Sequence, residues 1–578
     1  MGLRIQRSFA TLFLVFFLAF NIFLLRTSIY QKSTFGFLES FFKIKNHSSL
    51  YFPPNGFSQI KVLQGQPQKG NTTQGRDQNI STVDQKGYIN VPLVSSTNEE
   101  SVISISNEKD KFHDGLLVSE FDEASCISRF QSHLYRKVSH HKPSRYLISK
   151  VRNYEELHRR CGPNTIAYNK SMAYIENSKS NNGDGTMCKY IVWSPTNGLG
   201  NRIISMAATF LYAILTNRVL LVRFGKDISG LFCEPFLNST WMLPNNSPFW
   251  KQDHIETYDS FLEKGRSKTN KTKEDLPSAL FLYHQYTKED PENFFHCDHT
   301  QDLLRDIPLL IMQTDQYFVP SLSMITSFNL EINKMFPEKD TIFYHLGHYL
   351  FHPSNAAWGL ITRFYKTYLA KAVERIGLQI RVFDPQVTTQ KEIMDLVLSC
   401  TIKNKILPKL DTQNSLSYSK NHTLKAVLVA SLYPEYGQNL RAMYLNKPSV
   451  SGELIGVYQP SHEKQQKFHD NMHDMKAWTE MYLLSLSDVL ITSSFSTFGY
   501  VAQGLGGLKP WLLVRPHMKK PNSPSCEQDL SSEPCFHFAP MHQCNGMPQK
   551  HFASSFPHLL QCKDFNRGLK LVSDSALL

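Results

Sequence analysis

The sequence predicts an α/β protein with two lobes, each built on a parallel sheet, and three stretches carry that prediction. Residues 190–222 read as a strand, a glycine-containing turn, an apolar helix and a second strand, which is a βαβ unit. Residues 378–383 (LQIRVF) read as a strand that follows a helix. Residues 487–514 read as strand, turn, helix and strand. The distance between the first unit and the other two indicates two separate lobes.

A membrane anchor and a stem are expected before the folded part. Ser8–Leu25 contains no charged residue and follows Arg4 and Arg7. It is expected to span a membrane once, as a signal-anchor, with residues 1–7 in the cytoplasm and the rest of the chain in the lumen. A cleaved signal peptide is the alternative, although no small-residue cleavage site follows directly. Residues 26–125 are polar with little periodicity, which predicts a disordered stem.

Cysteines and glycosylation acceptors indicate the secretory route. The first 125 residues contain no cysteine, and all ten cysteines lie between Cys126 and Cys562. In an oxidising lumen, without close Cys-x-x-Cys pairs in the tail, this pattern favours disulfides, whose pairing the sequence leaves open. Asn-x-Ser/Thr acceptors for glycosylation stand at Asn46, Asn71, Asn79, Asn169, Asn238, Asn245, Asn270 and Asn421.

The formal net charge of +12 agrees with a partner that is an anion. No dense Lys/Arg run interleaved with aromatic residues is present, and a lumenal protein does not meet nucleic acid. A basic protein that handles an anionic small molecule is therefore the better interpretation.

In chain order, the first unit consists of strand Tyr190–Trp193, the turn at 195–201, a helix from Arg202 to Leu215 and strand Val219–Val222. Gly198-x-Gly200 lacks the third glycine of a dinucleotide-binding fingerprint, because Ile203 stands in its place. Leu309–Met312 is a further core strand. These elements belong to a predicted N-terminal lobe at residues 126–370.

The second lobe is predicted at residues 371–520, and a cysteine-rich segment at 521–578 packs on both lobes. A helix capped by Ser354 is expected to run from about Asn355 to Ile376, where Gly377 ends it and the LQIRVF strand begins. The remaining predicted elements of this lobe are Ala426–Ala430, Val489–Thr492, Phe498–Leu505 and Pro510–Val514.

Two features of the second lobe indicate a bound phosphate. The hydroxyl-rich turn at 493–497 precedes a helix, so free backbone N–H groups, the helix dipole and Ser/Thr donors point to one place. The alternative is that Ser496 or Thr497 only caps the helix. Arg381 lies in the middle of the predicted strand, where a buried guanidinium costs several kcal/mol unless an anion meets it. That anion is either a structural carboxylate or a ligand phosphate, and the nearby turn favours the phosphate.

A metal site is not expected. The chain contains no Asp-x-Asp pair. His345, His348 and His352 have a spacing that fits one helix face, but Gly347 interrupts the segment and no Glu stands at the position that zinc proteases use.

Several long motifs together resemble the plant cell-wall α-1,2-fucosyltransferases, whose type member fucosylates the galactose of xyloglucan. They cover roughly residues 145–572 in collinear order and include GLGNRIISMAATFLYAILTNRVLLV, TDQYFVPSL, GLQIRVFD, GVYQPSHE and SSFSTFGYVAQGLGGLKPWLL. The resemblance implies a Golgi type II membrane enzyme with two Rossmann-like lobes in a glycosyltransferase-B-like fold. It also implies inverting, metal-independent transfer of fucose from GDP-fucose to the 2-hydroxyl of a sugar. Whether the protein forms a homodimer is left open.

The same resemblance assigns roles to individual residues. Arg381 is expected to bind the donor diphosphate and offset its charge as GDP leaves, while Asp315 is expected on the acceptor side, as a base or a positioning group. Asp564 matches a functionally important carboxylate of the tail. Further donor contacts are implied at Asn201, Arg202, Gln379, Ser496, Thr497 and Phe498.

Two other readings stay open at this point. An inactive glycan-binding protein could keep the same fold, because fold alone does not establish activity. The same chemistry could also act on arabinogalactan-protein or pectic side chains, since acceptor contacts lie on loops.

Overall fold

The computed structural model describes most of the chain after Lys111. The predicted cytoplasmic tail, membrane span and most of the stem lie outside the described residues, as do the glycosylation acceptors Asn46, Asn71, Asn79, Asn270 and Asn421. Packing begins earlier than the expected start at Cys126, because Leu116 and Leu117 are buried in the core. The described ranges are 111–177, 187–251, 255–267, 276–284, 295–411, 423–515, 523–549 and 555–576.

The first lobe contains a five-stranded parallel sheet in the order β2-β1-β5-β4-β3. The inner strand β1 and the edge strand β2 are buried along their whole length, as expected for a parallel sheet covered by helices. The strands are β1 (Tyr190–Ser194), β2 (Val219–Val222), β3 (Glu256–Thr257), β4 (Ala279–His284) and β5 (Leu309–Thr314).

Among the described residues, this lobe contains ten α-helices. The longest, Leu199–Thr216, is nearly all buried and is apolar enough to cross a membrane, but 83% of that stretch is enclosed by the protein. The helices are α1 (Ile127–Gln131), α2 (Arg145–Cys161), α3 (Ile166–Asn177), α4 (Leu199–Thr216), α5 (Tyr258–Ser267), α6 (Asp298–Arg305), α7 (Val319–Leu322), α8 (Thr326–Met335), α9 (Ile342–Leu350) and α10 (Asn355–Phe364).

The second lobe contains a six-stranded sheet in the order β11-β10-β9-β6-β7-β8, parallel except for β11. A short antiparallel pair, β12 and β13, belongs to the tail. The strands are β6 (Glu374–Gln379), β7 (Leu424–Ala430), β8 (Leu454–Tyr458), β9 (Val489–Ser493), β10 (Trp511–Leu513), β11 (Cys526–Gln528), β12 (Leu559–Gln561) and β13 (Leu569–Leu571). The helices are α11 (Gln390–Lys403), α12 (Glu435–Asn446), α13 (Asn471–Ser485) and α14 (Thr497–Gly506).

The transition between the lobes differs from the prediction. The helix capped by Ser354 ends at Phe364 and continues as one π-helical turn, Tyr365–Leu369, so β6 starts five residues later. Gly377 does not end a helix but lies inside β6. A Cβ there would stand 2.6 Å from the Ser487 hydroxyl and 2.9 Å from Leu490. Glycine is needed because the end of α13 packs against the strand backbone.

Five disulfides confirm the prediction for the cysteines and use all ten of them. Cys126–Cys233 and Cys161–Cys188 staple the first lobe, and Cys535–Cys562 closes the tail on itself. Cys400–Cys526 and Cys297–Cys544 join the tail to the second and first lobes respectively. The C-terminal segment is therefore covalently attached to both lobes. A homodimer would have to be held by noncovalent contacts.

Candidate active site

The glycine-containing turn before α4 rests on Asp315. Because β1 and β5 are parallel neighbours, the turn after β1 and Asp315 after β5 meet at the same sheet edge. Asn197 donates from Nδ2 to one carboxylate oxygen, and Gln316 Nε2 donates to the other at 2.7 Å. Asn201 Nδ2 reaches the Asp315 carbonyl at 3.4 Å. The Asp315 side chain is buried, and both carboxylate oxygens accept bonds from neutral amides. These hydrogen bonds hold the Asp315 carboxylate against the turn.

The two lobes touch directly where this turn meets the start of α14. Thr497 donates from its hydroxyl to Asn201 Oδ1 at 3.0 Å. A Cβ on Gly200 would stand 2.8 Å from the Thr497 carbonyl carbon and hydroxyl, and 2.9 Å from the Phe498 nitrogen. The structure therefore brings together the predicted site residues Asn201, Thr497 and Phe498 across the interface.

Arg381 follows β6 instead of lying within it, since the strand ends at Gln379. The Arg381 backbone nitrogen donates to the Ser493 hydroxyl at 2.9 Å, and Nη2 donates to Gln466 Oε1 at 3.0 Å. In the part of the chain that the structure describes, no carboxylate pairs with this guanidinium, and burial lowers its pKa. The prediction that Arg381 lies within the strand was wrong. Among the described residues, the structural carboxylate considered as its alternative partner is not found beside Arg381.

Ser496 precedes α14 without capping it through its side chain. Backbone hydrogen bonding within the helix begins with Tyr500 N donating to Ser496 O, so the N–H groups of Thr497 and Phe498 make no such bond. Gln379 stabilises the turn before α14, because its side-chain Oε1 accepts a hydrogen bond from the Ser493 backbone nitrogen at 3.2 Å. The side chains of Ser496 and Gln379 are buried.

Asp564 holds the turn from the tail side. Its Oδ2 accepts hydrogen bonds from the Phe495 nitrogen at 2.9 Å and the Tyr500 hydroxyl at 2.6 Å. Phe495 has a φ of 62°, a left-handed conformation that costs roughly 1–2 kcal/mol for a residue other than glycine. The tail carboxylate thus stabilises the strained residue that shapes the turn.

Arg202 is buried and pairs with two carboxylates, and its expected contact with the donor stays a prediction. Its Nη1 lies 2.7 Å from Asp227 Oδ2 and 3.6 Å from Asp474 Oδ2, which belongs to α13 of the other lobe. Burial raises the pKa of Asp474 to about 7, and the nearby Asp227 and Asp470 add to the effect. Beside it, Asn471 donates to the carbonyls of Asp227 and of Ser229 in the first lobe. These residues form a junction between the lobes.

No sequence motif indicated that Gln466 or this junction belongs to the site. A Cβ on Gly198 would stand 2.9 Å from Gln466 Nε2, so Gln466 lies between Arg381 and the glycine-containing turn. In the sequence, Gln466 is distinguished only by its position shortly after the GVYQPSHE motif. Single amide and acidic residues form no spacing pattern that would mark them as parts of a site.

The three histidines that were not expected to form a metal site are buried. His345, His348 and His352 have pKa values lowered by burial, to about 3 for the first two. Two side-chain groups within the described ranges are compact enough to hold a metal ion. Each contains a disulfide pair, Cys297–Cys544 or Cys535–Cys562, whose sulfurs are not available as thiolates.

Comparisons with known proteins identify the family of the chain. The xyloglucan fucosyltransferase family matches residues 87–545. A galactoside 2-alpha-L-fucosyltransferase of Arabidopsis thaliana is 49% identical over 466 residues, covering 80% of this chain and 83% of the relative. The corresponding protein of Pisum sativum is 45% identical, covering 82% and 84%. A solved Arabidopsis thaliana FUT1 mutant in complex with GDP is 48% identical with a TM-score of 0.73, covering 80% of this chain and 100% of that chain. The chain belongs to the xyloglucan fucosyltransferase family.

Proposed function

We propose that the protein is a galactoside 2-α-L-fucosyltransferase that transfers L-fucose from GDP-fucose, with inversion, to the 2-hydroxyl of galactose on a plant cell-wall glycan such as xyloglucan. The observation that carries the proposal is Arg381, a partly buried cation without a carboxylate partner among the described residues, beside the open start of α14. The relatives named above bear the same activity or bind GDP.

The bond between fucose C1 and the β-phosphate oxygen breaks, and negative charge develops on GDP. A fixed guanidinium and backbone N–H groups at a helix start stabilise this charge most when it is fully developed, which lowers the barrier. We infer that Arg381 and the first turn of α14 supply that charge, so the reaction does not require a divalent ion. The acceptor oxygen forms the new bond to C1 from the opposite face, and its proton passes to a water molecule.

Asp315 is the carboxylate that the family resemblance places on the acceptor side. Asp315 has both oxygens engaged by Asn197 and Gln316, which favours a positioning role in which it sets the turn that borders the acceptor. A well-stabilised GDP leaving group reduces the need for a strong base. Asn201 and Thr497 hold the lobes in register for the transfer.

A lumenal Golgi location with a single N-terminal span completes the proposal. The five disulfides support it, as do the exposed positions of Asn169, Asn238 and Asn245, the glycosylation acceptors that the structure describes. Glycosidase sensitivity of these acceptors in the expressed protein, with protection from added protease in intact vesicles, tests the topology.

The purified protein is incubated with GDP-fucose and with xyloglucan, arabinogalactan or pectic galactosyl oligosaccharides, with and without EDTA. Release of GDP together with a new α-1,2-linked fucose, unchanged by EDTA, is the expected result. A product from arabinogalactan or pectin alone would move the assignment to that acceptor. Absence of GDP release with every acceptor, despite GDP binding, would show an inactive glycan-binding protein.

A further inference from the structure

Arg223 lies at the same edge of the first sheet as the glycine-containing turn. It follows β2 directly, and its backbone nitrogen donates to the Trp193 carbonyl at 3.0 Å, which continues the pairing of β2 with β1. Because these strands are parallel, Arg223 and the turn after β1 leave the sheet on one side. Asp315 lies on the other flank of that turn, after β5. Arg223 therefore borders the candidate acceptor side.

The partners of the Arg223 guanidinium are neutral. Nη2 donates to the Trp250 carbonyl, Nη1 lies 3.4 Å from the Ser194 hydroxyl, and Cζ lies 5.1 Å from the centre of the Trp250 ring. Within the described ranges no acidic side chain pairs with it. Burial, without an opposing carboxylate, lowers its pKa. The side chain is half-buried, so part of the guanidinium remains open to solvent or to a ligand.

Two other arginines of the first lobe are more deeply buried and have different partners. Arg218 is almost completely buried and donates to backbone carbonyls, among them those of Leu304 and Ile307. Arg202 is paired with two carboxylates. Arg223 is half-buried and uses one carbonyl and one long contact to a hydroxyl, although a guanidinium carries five N–H donors. Its other donors are not enclosed by the protein, so a ligand can reach them.

We propose that Arg223 binds a carboxylate of the acceptor, so that the enzyme prefers a galactose-configured sugar oxidised to a uronic acid at C6. The inference rests on the proposed fucosyl transfer and narrows its acceptor class. Guanidinium and carboxylate match in a two-point hydrogen-bonded geometry, and the half-buried Trp250 ring beside it offers an apolar surface for the sugar. The donor phosphates meet a different cation, Arg381, on the other lobe.

Three acceptors with the same backbone test this assignment on the full-length enzyme: a galactosyl oligosaccharide, its C6-oxidised galacturonosyl form, and the methyl ester of that form. The wild-type KM for the free acid is expected to be roughly tenfold to a hundredfold below those of the neutral acceptor and the ester. In Arg223→Gln this preference disappears, while the KM for the neutral acceptor changes less than about twofold. Arg223→Lys is expected to keep part of the preference.

Lys251→Gln is the matched control. Lys251 is an exposed cation one residue beyond Trp250, so its substitution removes the same charge from the same region. It should leave the preference intact. Equal wild-type KM values for free acid and ester overturn the proposal, and this comparison does not depend on whether any variant folds. A preference that survives in Arg223→Gln also overturns it. Loss of transfer to all three acceptors in the wild type would instead contradict the proposed fucosyltransferase function.

Discussion

Arg381 donates from Nη2 to the side-chain oxygen of Gln466 across 3.0 Å, so the cation at the end of β6 is oriented by a neutral amide instead of being neutralised by an acid. An amide fixes the direction of the guanidinium and leaves its charge for a ligand. Gln466 in turn lies against the glycine-containing turn of the other lobe.

Arg381→Ala is expected to lower kcat at least about a hundredfold, because the charge that develops on GDP loses its main fixed cation. Arg381→Lys keeps the charge but loses the planar fork, and should recover only part of the activity. Steady-state kinetics with GDP-fucose as the varied substrate measure both effects. An unchanged melting temperature confirms folding, and near-normal turnover by the alanine variant would contradict the donor site.

Gln466→Glu tests the same idea from the opposite direction. A carboxylate 3.0 Å from Arg381 would pair with it and compete with the diphosphate, so the Kd for GDP should rise roughly tenfold or more. Calorimetric titration with GDP is the measurement. Gln466→Met, which adds no charge, is the control and should weaken binding much less. Equal effects of the two variants would mean that charge at this position is irrelevant.

Gly200→Ala is expected to reduce kcat/KM by about a hundredfold. A Cβ at this position would stand 2.8 Å from Thr497, so the start of α14 and the turn must move apart, and a displacement of about 1 Å has this effect on positioned groups. Gly359→Ala is the control, because no atom lies within 4 Å of the added carbon. Comparable losses in both variants would rule out the steric explanation.

Asp564→Ala removes the acceptor for the Phe495 nitrogen and the Tyr500 hydroxyl. The left-handed turn should relax, with a loss of about 1–3 kcal/mol in the free energy of unfolding and a higher KM for GDP-fucose. Denaturant titration and kinetics measure the two effects. Asp574→Ala, at a highly exposed carboxylate, should do neither. A lower free energy of unfolding with an unchanged KM for GDP-fucose would mean that Asp564 stabilises the fold without affecting the donor site.

Asp474→Asn should change how stability depends on pH. The folded-state pKa of Asp474, about 7, lies above its unfolded value of about 3.9, so the folded protein holds an extra proton between them. This contribution is complete below about pH 4 and is lost as the pH rises towards 7. The variant lacks it, so its stability relative to the wild type should increase between pH 5 and 8, by up to about 2–3 kcal/mol. Thermal melts across this range measure it, with the exposed Asp302→Asn as control. Parallel pH profiles of Asp474→Asn and wild type would mean that Asp474 is ionised throughout.

The sequence alone determined the elements whose signal is local. Apolar runs predicted the strands β1, β2 and β9, and Gly507, in the left-handed region, follows the end of α14. The ten cysteines indicated disulfides but not their partners, because pairing depends on which loops meet in space.

Only the tertiary structure decided how the predicted site residues are used. Arg202 and Arg381 look equivalent in the sequence, yet one meets two carboxylates from opposite lobes and the other meets a neutral amide. Gly377 looked like a helix stop, but its role comes from close packing against Ser487. The physical reason is the same throughout: the partner of a buried charge or of a bare backbone lies far away in the chain. Local patterns report conformation, whereas the free energy of a charged group depends on what folding places beside it.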